Sequence, residues 1–216
     1  MSAGDRASPR KNPRQARAKV TVELLLEAAA QVLVSSGYEG TTTKQVAERA
    51  GVSIGTLYQY FPSKEALVVM LIQRLQQRVF GVLSTLLRPR PVSDFAHEVR
   101  GLVRAMVELY AENQALQRVL LEVAPRITPP LFSQGVEMRV EPLIESMIAQ
   151  NLRFEPPRNL GLVSFLIARA LRNAIWDTVI ERPELIGTDE LVDELSAMVL
   201  GYLHERGGRL STPPRR

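Results

Sequence analysis

One short stretch of the chain concentrates side chains that can hydrogen-bond to nucleic-acid bases and phosphates. Residues 53–60 read S-I-G-T-L-Y-Q-Y and include no acidic side chain. The amide of Gln59 can bond adenine at two positions, and the Thr56 hydroxyl can bond a base edge or a phosphate. Because an acidic side chain would repel phosphates, this composition is typical of a surface that meets DNA.

Residues on either side of this stretch could hold the DNA backbone. Thr42 and Thr43 would combine their hydroxyls with the free N–H groups of a helix N-terminus, which together suit a phosphate. Ile54 could contact a thymine methyl, and Gly55 would let the backbone come close to the duplex. The predicted DNA-binding residues are Arg14, Arg17, Thr42, Thr43, Lys44, Ser53, Ile54, Gly55, Thr56, Tyr58, Gln59, Tyr60 and Lys64.

Basic residues early in the sequence could add to such an interface. Residues 1–20 hold six Lys or Arg and one Asp, whereas the whole chain of 216 residues has a net charge of +4. Each Lys or Arg can neutralise a phosphate and release counterions. We therefore expect residues 1–18 to form a disordered basic arm that contacts DNA. Taken alone, this segment fits a solubilising tail equally well.

The composition argues against enzymatic, metal-binding and membrane roles. The chain has no cysteine, and its two histidines, His97 and His204, are too far apart in sequence for metal-ligand spacing. We find no Ser-His-Asp order and no glycine-rich phosphate loop, so we predict no enzyme and no cofactor. We also find no stretch of about 18 apolar residues and no signal peptide. The sequence therefore predicts a cytoplasmic protein without a membrane partner.

The elements that must position these residues are predicted to be helices throughout. Apolar residues recur at i, i+3 and i+4, and glycines and prolines mark the helix ends. No stretch alternates apolar and polar residues as a strand would. The predicted helices are 20–36, 43–50, 53–61, 64–87, 93–112, 113–125, 129–151, 158–181 and 188–205. With about nine helices, the predicted fold class is all α.

Residues 43–61 are predicted to form a helix-turn-helix motif. Its two helices of about eight residues are too short to be stable alone in water, so they must pack on each other and on the helix before them. Val46, Ala47 and Leu57 would supply inward faces, and Gly51 would permit a sharp turn with positive φ. In this motif the second helix is presented to the major groove of DNA.

A resemblance to a known family covers residues 42–67, T-T-K-Q-V-A-E-R-A-G-V-S-I-G-T-L-Y-Q-Y-F-P-S-K-E-A-L. This run resembles the N-terminal DNA-binding domain of the TetR family of bacterial repressors, with Val46 in place of the usual Ile. The resemblance implies that residues 53–56 and Gln59 lie towards the bases. It also implies that a second set of residues contacts the DNA backbone: Thr42, Thr43, Tyr58, Tyr60 and Lys64.

The resemblance further implies a division into functional domains. A helix-turn-helix domain would occupy residues 19–65, a helical ligand-binding and dimerisation domain residues 66–207, and a flexible tail residues 208–216. The last two long helices would pair with those of a second subunit. The expected dimer contacts are Leu162, Phe165, Leu191, Leu195, Met198 and Tyr202. A core within one chain is the alternative for these apolar residues.

A ligand pocket is expected among the helices of the larger domain. Flexible methionines and aromatic residues suit an adaptable apolar site, although at helical spacing such residues are more often plain core. Arg169, Asn173 and Asp177 share one helix face and could line the pocket or pair across the dimer interface. The predicted ligand-binding residues are Met70, Met106, Tyr110, Phe132, Met138, Arg169, Asn173 and Asp177.

These patterns together predict a sequence-specific DNA-binding transcriptional regulator. We expect a homodimeric repressor that a small-molecule effector releases from a near-palindromic double-stranded DNA operator. A regulator whose ligand promotes DNA binding, or an activator, is the alternative within the same class. Outside it, the alternative is a helical adaptor that has lost DNA binding.

Overall fold

The computed structural model describes residues 13–88, 93–128, 136–151 and 159–205. Within these ranges the chain forms nine α-helices and one short 3-10 helix, Pro183–Leu185, which confirms the predicted all-α class. The α-helices are α1 (Pro13–Gly40), α2 (Thr43–Arg49), α3 (Ile54–Tyr60), α4 (Lys64–Leu86), α5 (Phe95–Ala111), α6 (Gln114–Ile127), α7 (Glu137–Asn151), α8 (Leu160–Glu181) and α9 (Asp189–Glu205).

The chain divides into two compact units, residues 1–70 and residues 71–216. The first unit contains α1 to α3 and the start of α4, and the second contains the rest of α4 and the later helices. The predicted basic arm at residues 1–12 and the predicted tail at residues 208–216 lie outside the described residues.

Helix α1 begins earlier than predicted. Residues 13–18, expected to belong to a disordered arm, are helical. Pro13 occupies the first helical position, where its missing N–H costs nothing, and residues 15–19 are mostly strong helix formers. At the other end, Gly37 has a φ of 64°, and a further turn follows it to Gly40. Gly37 therefore ends the long regular part of α1, where the sequence predicted the end of the helix over residues 20–36.

The first unit is held by a small apolar core that joins its helices. Leu25, Leu26 and Leu33 of α1 are buried together with Val46 of α2 and Leu57 of α3. Because α2 and α3 have only seven residues each, this burial rather than intrinsic helix propensity holds them in place.

The second unit is a larger helical layer around α8. Helix α8 packs on α5, α6 and α7, and α9 packs on α5. Helix α6 continues through Pro125 to Ile127, beyond its predicted end, with the proline exposed to solvent near the last turn. Ion pairs from Arg100 to Asp193 and from Arg104 to Asp189 also join α5 to α9.

Two described helices have the length and composition of a membrane span, namely Arg17–Gly40 and Lys64–Leu86. Neither helix is the uninterrupted run of about 18 apolar residues that the sequence was predicted to lack. Each helix contributes buried side chains to the protein core, among them Leu25 and Leu67. Packing in a protein core therefore accounts for an apolar composition that a membrane-spanning helix would also have.

Candidate nucleic-acid interface and internal cavity

The two short helices of the first unit are fixed by side-chain caps at their N-termini. The Thr42 hydroxyl accepts a hydrogen bond from the N–H of Gln45 at 3.2 Å, and the Gln45 side chain accepts one from the Thr42 N–H at 2.9 Å. Ser53 Oγ accepts a bond from the N–H of Thr56 at 3.0 Å. Thr42 and Ser53, both predicted DNA contacts, therefore also define where α2 and α3 begin.

The turn between α2 and α3 has the geometry predicted for it. Gly51 has a φ of 69°, a left-handed conformation that favours glycine, and a Cβ at this position would meet no atom within 4 Å. Backbone conformation rather than space therefore sets the need for glycine. The N–H of Val52 closes the turn by donating to the Ala47 carbonyl at 3.0 Å.

Helix α3 turns its polar face to solvent and its apolar face to the core. Leu57 is fully buried, whereas Tyr58 is 50% exposed and Ile54 is 41% exposed. The remaining predicted DNA contacts on and before this helix are exposed or half-buried: Ser53, Gly55, Thr56, Gln59 and Tyr60. The predicted base-facing and backbone-facing residues of α3 are thus accessible on one small surface.

The N-terminus of α2 belongs to the same surface. Thr43 Oγ1 lies 3.1 Å from the hydroxyl oxygen of Tyr58, a hydrogen-bond distance between neighbouring helices. Lys44 follows in the first turn of α2, with 81% of its side chain exposed and a 4.0 Å contact to Glu48. Hydroxyls, free helix N–H groups and one ammonium therefore converge beside α3, which together can bind phosphate oxygens.

Lys64 makes contacts within the first unit, and its predicted contact with the DNA backbone stays a prediction. Its ammonium donates to the carbonyl oxygens of Tyr38, at 3.0 Å, and Thr41, at 3.4 Å. It also lies 4.2 Å from the centre of the Tyr38 ring. These contacts fasten the start of α4 to the end of α1 and to Thr41, which follows it.

The hydrogen bond from the Tyr38 hydroxyl to Glu65 Oε1, at 2.9 Å, completes this fastening. The pKa of Glu65 is lowered from its ordinary value, first by a hydrogen bond from the Ser63 side chain, then by its own backbone N–H and by Tyr38. Of the two arginines predicted to contact DNA, Arg17 is exposed on α1, and the side chain of Arg14 lies outside the described residues.

The second unit encloses a narrow cavity of 110 Å³. Each of α4 to α9 contributes lining side chains, for example Leu83 of α4, Val99 of α5 and Leu171 of α8. Nearly all of the lining is apolar. The polar groups that the described lining contributes belong to Gln76, Tyr110, Arg172 and Trp176.

Two of the predicted ligand-binding residues, Met106 and Tyr110, line this cavity. Phe132 lies outside the described residues. The structure does not bring five other predicted residues to the cavity: Met70, Met138, Arg169, Asn173 and Asp177. The pocket role of these five stays a prediction, and the lining that the structure describes does not support it.

Helix phase and an ion pair explain why these five side chains do not line the cavity. Met138 is 59% exposed in the first turn of α7, and Asn173 and Asp177 are exposed on α8. Met70 is 36% exposed on α4 and belongs to the first unit. Arg169 is half-buried and pairs with Glu141 of α7, with 3.7 Å between Nη2 and Oε1.

Three polar lining residues were not predicted, namely Gln76, Arg172 and Trp176. Arg172 and Trp176 are one turn apart on α8, and Ala168, one turn earlier, also lines the cavity. The face of α8 that lines the cavity is therefore one position away from the predicted face, which holds Arg169, Asn173 and Asp177. Gln76 likewise interrupts the apolar face of α4 between Ile72 and Val79.

Exposed apolar side chains lie on the last two long helices. Leu162, Phe165 and Leu166 of α8 and Met198 of α9 are each between 40% and 50% exposed. The predicted dimer contact Leu195 is buried in the chain's own core, so its assignment is corrected. Leu191 and Tyr202 are partly buried and pack against that core.

Comparison with known families gives two matches along the chain. The family described as "Bacterial regulatory proteins, tetR family" matches residues 25–71, which hold the capped helices. The family described as "Tetracyclin repressor-like, C-terminal domain" matches residues 94–203, which hold most of the cavity wall.

Individual proteins are also similar to the chain. Nucleoid occlusion factor SlmA of Actinobacillus pleuropneumoniae is 28% identical over 148 residues, covering 63% of this chain and 71% of that protein. The HTH-type transcriptional activator FasR of Mycolicibacterium smegmatis is 28% identical over 163 residues, covering 74% and 73%. The solved structure of the fatty acid degradation regulator FadR from Bacillus halodurans matches with a TM-score of 0.66 and 20% identity, covering 94% of this chain and 100% of that one. At that identity the structural match shows the fold alone.

Proposed function

The chain belongs to the tetR family of bacterial regulatory proteins, which are DNA-binding transcriptional regulators and not enzymes, and we propose that it is a homodimeric repressor released from its operator by a small molecule. In this proposal residues 19–65 bind DNA, and residues 66–207 bind the ligand and form the dimer. The protein would act in the cytoplasm, where its near-palindromic DNA operator lies.

The observation that carries the proposal is the exposed polar face of α3 beside the N-terminus of α2. Gln59 is exposed on α3, and a glutamine amide can pair with adenine through two hydrogen bonds. Thr43 and Tyr58, whose hydroxyls lie 3.1 Å apart, and the exposed Lys44 supply groups that can bind phosphate. Base contacts would supply the sequence preference, and phosphate contacts would fix the register of α3 in the major groove.

A dimer is proposed because one helix-turn-helix motif reads only a few base pairs. Two copies related by a two-fold axis would place their recognition helices about 34–36 Å apart, one turn of DNA. Leu162, Phe165 and Leu166, at i, i+3 and i+4 on one face of α8, support an interface through α8 and α9, as does the exposed Met198 of α9, since large apolar side chains are costly to leave in water.

Ligand release is proposed to act through α4. This helix lines the cavity from Ile72 to Leu87 and begins at Lys64, whose ammonium fastens it to the end of α1. A ligand that shifted α4 would therefore alter the setting of the helix-turn-helix and the spacing of the two recognition helices. Coupling between ligand and DNA of this kind is typically about 1–3 kcal/mol and acts equally in both directions.

A second candidate is a regulator that activates transcription or binds DNA more tightly with its ligand. The similarity to FasR, which is named a transcriptional activator, favours retaining this candidate. The two candidates predict opposite signs of coupling, so the same titration separates them: ligand lowers operator affinity for the repressor and raises it for the alternative.

The test is a salt titration of binding to DNA from just upstream of the protein's own gene, followed by fluorescence anisotropy. The proposal expects tight binding with a large preference over random DNA and an affinity that falls steeply with salt. Alanine at Tyr58 or Lys44 should weaken that binding. Equal, weak binding to genomic fragments and random DNA alike would overturn the operator-binding proposal and favour a non-DNA-binding adaptor.

A further inference from the structure

The cavity of the second unit is lined almost entirely by apolar side chains. Each of α4 to α9 contributes to its wall, with Leu83 of α4, Phe95 of α5 and Ile167 of α8 among the lining residues. Within the part of the wall that the structure describes, there is no carboxylate, histidine, serine or threonine. The polar character of the site therefore depends on four side chains: Gln76, Tyr110, Arg172 and Trp176.

These four polar side chains already have partners in the protein. The Trp176 Nε1–H donates to the Tyr110 hydroxyl oxygen at 2.7 Å. Arg172 donates from Nε and Nη2 to Asn173 Oδ1, at 3.2 and 3.0 Å, and Asn173 is exposed to solvent. Gln76 also interacts with the protein, and the other three have contacts beyond these. The described wall therefore offers a ligand no polar side chain that lacks a partner.

A polar ligand would lose more in this cavity than it could regain. Its hydrogen bonds to water break on entry, and a replacement must come from a bond that already exists, such as that between Trp176 and Tyr110. An ionised ligand loses more still, since an unpaired charge is far costlier to bury than a hydroxyl. Arg172 does not offset this loss, because its guanidinium donates to Asn173 and lies 4.6 Å from the centre of the Trp176 ring. The wall therefore disfavours charged molecules.

The cavity volume restricts the size of the occupant. At 110 Å³ it is of the same order as an engineered apolar cavity of about 150 Å³ in another protein, which stays dry and binds benzene or xenon. A buried water molecule needs about two to four polar partners, which the described wall does not offer. An empty apolar cavity also forgoes dispersion contacts that an apolar occupant would restore. The volume and the wall therefore both suit a small hydrocarbon.

Several side chains in the wall suit a ring-shaped occupant. Phe95 can pair with an aromatic ring in an offset or edge-to-face arrangement. Met106 and Met147 also line the cavity, and a methionine sulfur makes favourable contacts with aromatic rings. Because methionine has three rotatable bonds, these two side chains can also adapt to the outline of the occupant.

We propose that the cavity binds an uncharged, compact hydrocarbon of about the size of one six-membered ring, and that it excludes carboxylate and ammonium derivatives of the same ring. This inference rests on the proposed function for its regulatory meaning, since it names the chemical class of the effector. The free energy of binding would come from apolar contact with the wall rather than from a charged partner.

The test compares four probes that share one ring and differ in its substituent: toluene, benzyl alcohol, sodium benzoate and benzylammonium chloride. Each is titrated into the full chain, and binding is followed by calorimetry and by the fluorescence of Trp176, a lining residue and the only tryptophan in the sequence. We expect benzyl alcohol to bind about ten- to a hundred-fold more weakly than toluene, as burial of a hydroxyl without a hydrogen bond implies. Benzoate and benzylammonium should not bind measurably.

Variants that fill the cavity then locate the site. Ala124 of α6 is buried and lines the cavity, so Ala124→Met should place a longer side chain in that volume and weaken toluene binding by about ten-fold or more. Ala115→Met is the matched control on the same helix, because Ala115 is exposed and does not line the cavity. If melting curves show that Ala124→Met is not folded, Ala168→Met fills the cavity from α8 in its place.

Three results would overturn the inference. Benzoate or benzylammonium binds as tightly as toluene, toluene does not bind to folded wild-type protein, or toluene binds undiminished to a folded cavity-filling variant.

The titration with operator DNA is a separate measurement. Operator binding without any toluene binding would defeat this inference and leave the DNA-binding proposal intact. Toluene binding that leaves operator affinity unchanged would support this inference and count against release by a ligand in this cavity. Toluene binding together with a change in operator affinity would support both.

Discussion

The hydroxyl oxygens of Thr43 and Tyr58 lie 3.1 Å apart, although the residues belong to different helices and are 15 positions apart in the sequence. This contact joins the N-terminus of α2 to the exposed face of α3. The two hydroxyls therefore lie side by side at the N-terminus of α2, where hydroxyls and helix N–H groups can bind a phosphate.

Removing the Tyr58 hydroxyl tests this arrangement. We expect Tyr58→Phe to weaken binding by about three- to ten-fold, the usual effect of losing one or two neutral hydrogen bonds. The loss should be similar for operator and random DNA because phosphate contacts carry no sequence information. In a double-mutant cycle with Thr43→Val, the two losses should be less than additive, since each variant removes part of the same contact. Full additivity would mean that the hydroxyls act separately.

Gln59 should behave in the opposite way, as a reader of sequence. We expect Gln59→Ala to cost about 1–3 kcal/mol on the operator and much less on random DNA, because a bidentate contact to adenine discriminates between bases. Binding measured on operators substituted at each position should show relaxed preference at one position in each half-site. An equal loss on every sequence would assign Gln59 to the DNA backbone instead.

Substitutions of two lysines near the interface should distinguish a lysine that stabilises the fold from one that attracts DNA by its charge. Lys44 is largely exposed, so Lys44→Met should lower the slope of log affinity against log salt by about 1 per subunit without changing stability. Lys64 donates to the carbonyls of Tyr38 and Thr41, so Lys64→Met should lower the melting temperature of the DNA-binding unit. Both variants are compared by thermal unfolding and by salt titration. A Lys64 variant with a changed salt slope and an unchanged melting temperature would support the predicted contact of Lys64 with phosphate.

The fold could be predicted from the sequence to the extent that helix periodicity and end signals are local. The turn at Gly51 was predicted correctly, and each end of the two short helices was predicted to within one residue, because positive φ and helix ends depend on a few neighbouring residues. The start of α1 at Pro13 was missed because arginine and lysine were interpreted by charge alone, although both are good helix formers.

The site residues were predictable only where exposure follows from the helix-turn-helix pattern itself. Lys64 was predicted to contact phosphate. Its contact with the end of α1 was not predicted, because that contact depends on packing that the local sequence does not encode. In the second unit, Arg172 and Asn173 are neighbours on α8, yet one lines the cavity and the other is exposed. A helix that is apolar on more than one face leaves its phase undetermined until its neighbours are known.

Glu65 makes the first unit's stability depend on pH on the acid side. Its pKa in the folded state is lowered, so its stabilising contribution is complete above the unfolded pKa of about 4.3 and is lost as pH falls through the folded pKa. We expect Glu65→Gln to melt at a lower temperature than the wild type at pH 7 and the two melting temperatures to converge as pH falls through the lowered folded pKa of Glu65. A constant difference from pH 7 to pH 3 would show that the Ser63 and Tyr38 contacts do not favour the charged form.

The proposed dimer interface is tested by placing a charge on the exposed face of α8. Phe165 is 40% exposed, so Phe165→Glu should leave the fold of a single chain intact, and the new carboxylate would lie one turn from Arg169. Across an apolar interface, by contrast, two such charges would be desolvated and would repel each other. Sedimentation equilibrium should therefore report the monomer mass of 24.1 kDa for this variant and twice that mass for the wild type.

The matched control for this variant is Leu86→Glu, because Leu86 is 38% exposed on α4 and belongs to neither α8 nor α9. It should remain dimeric and keep its operator affinity. The Phe165 variant should lose most of its operator affinity while retaining its helical circular dichroism, since each monomer would then bind one half-site without the help of the other. If the Phe165 variant stays dimeric, the α8 face is excluded as the interface; if it becomes monomeric yet binds the operator undiminished, dimerisation is not what gives this protein its affinity for DNA.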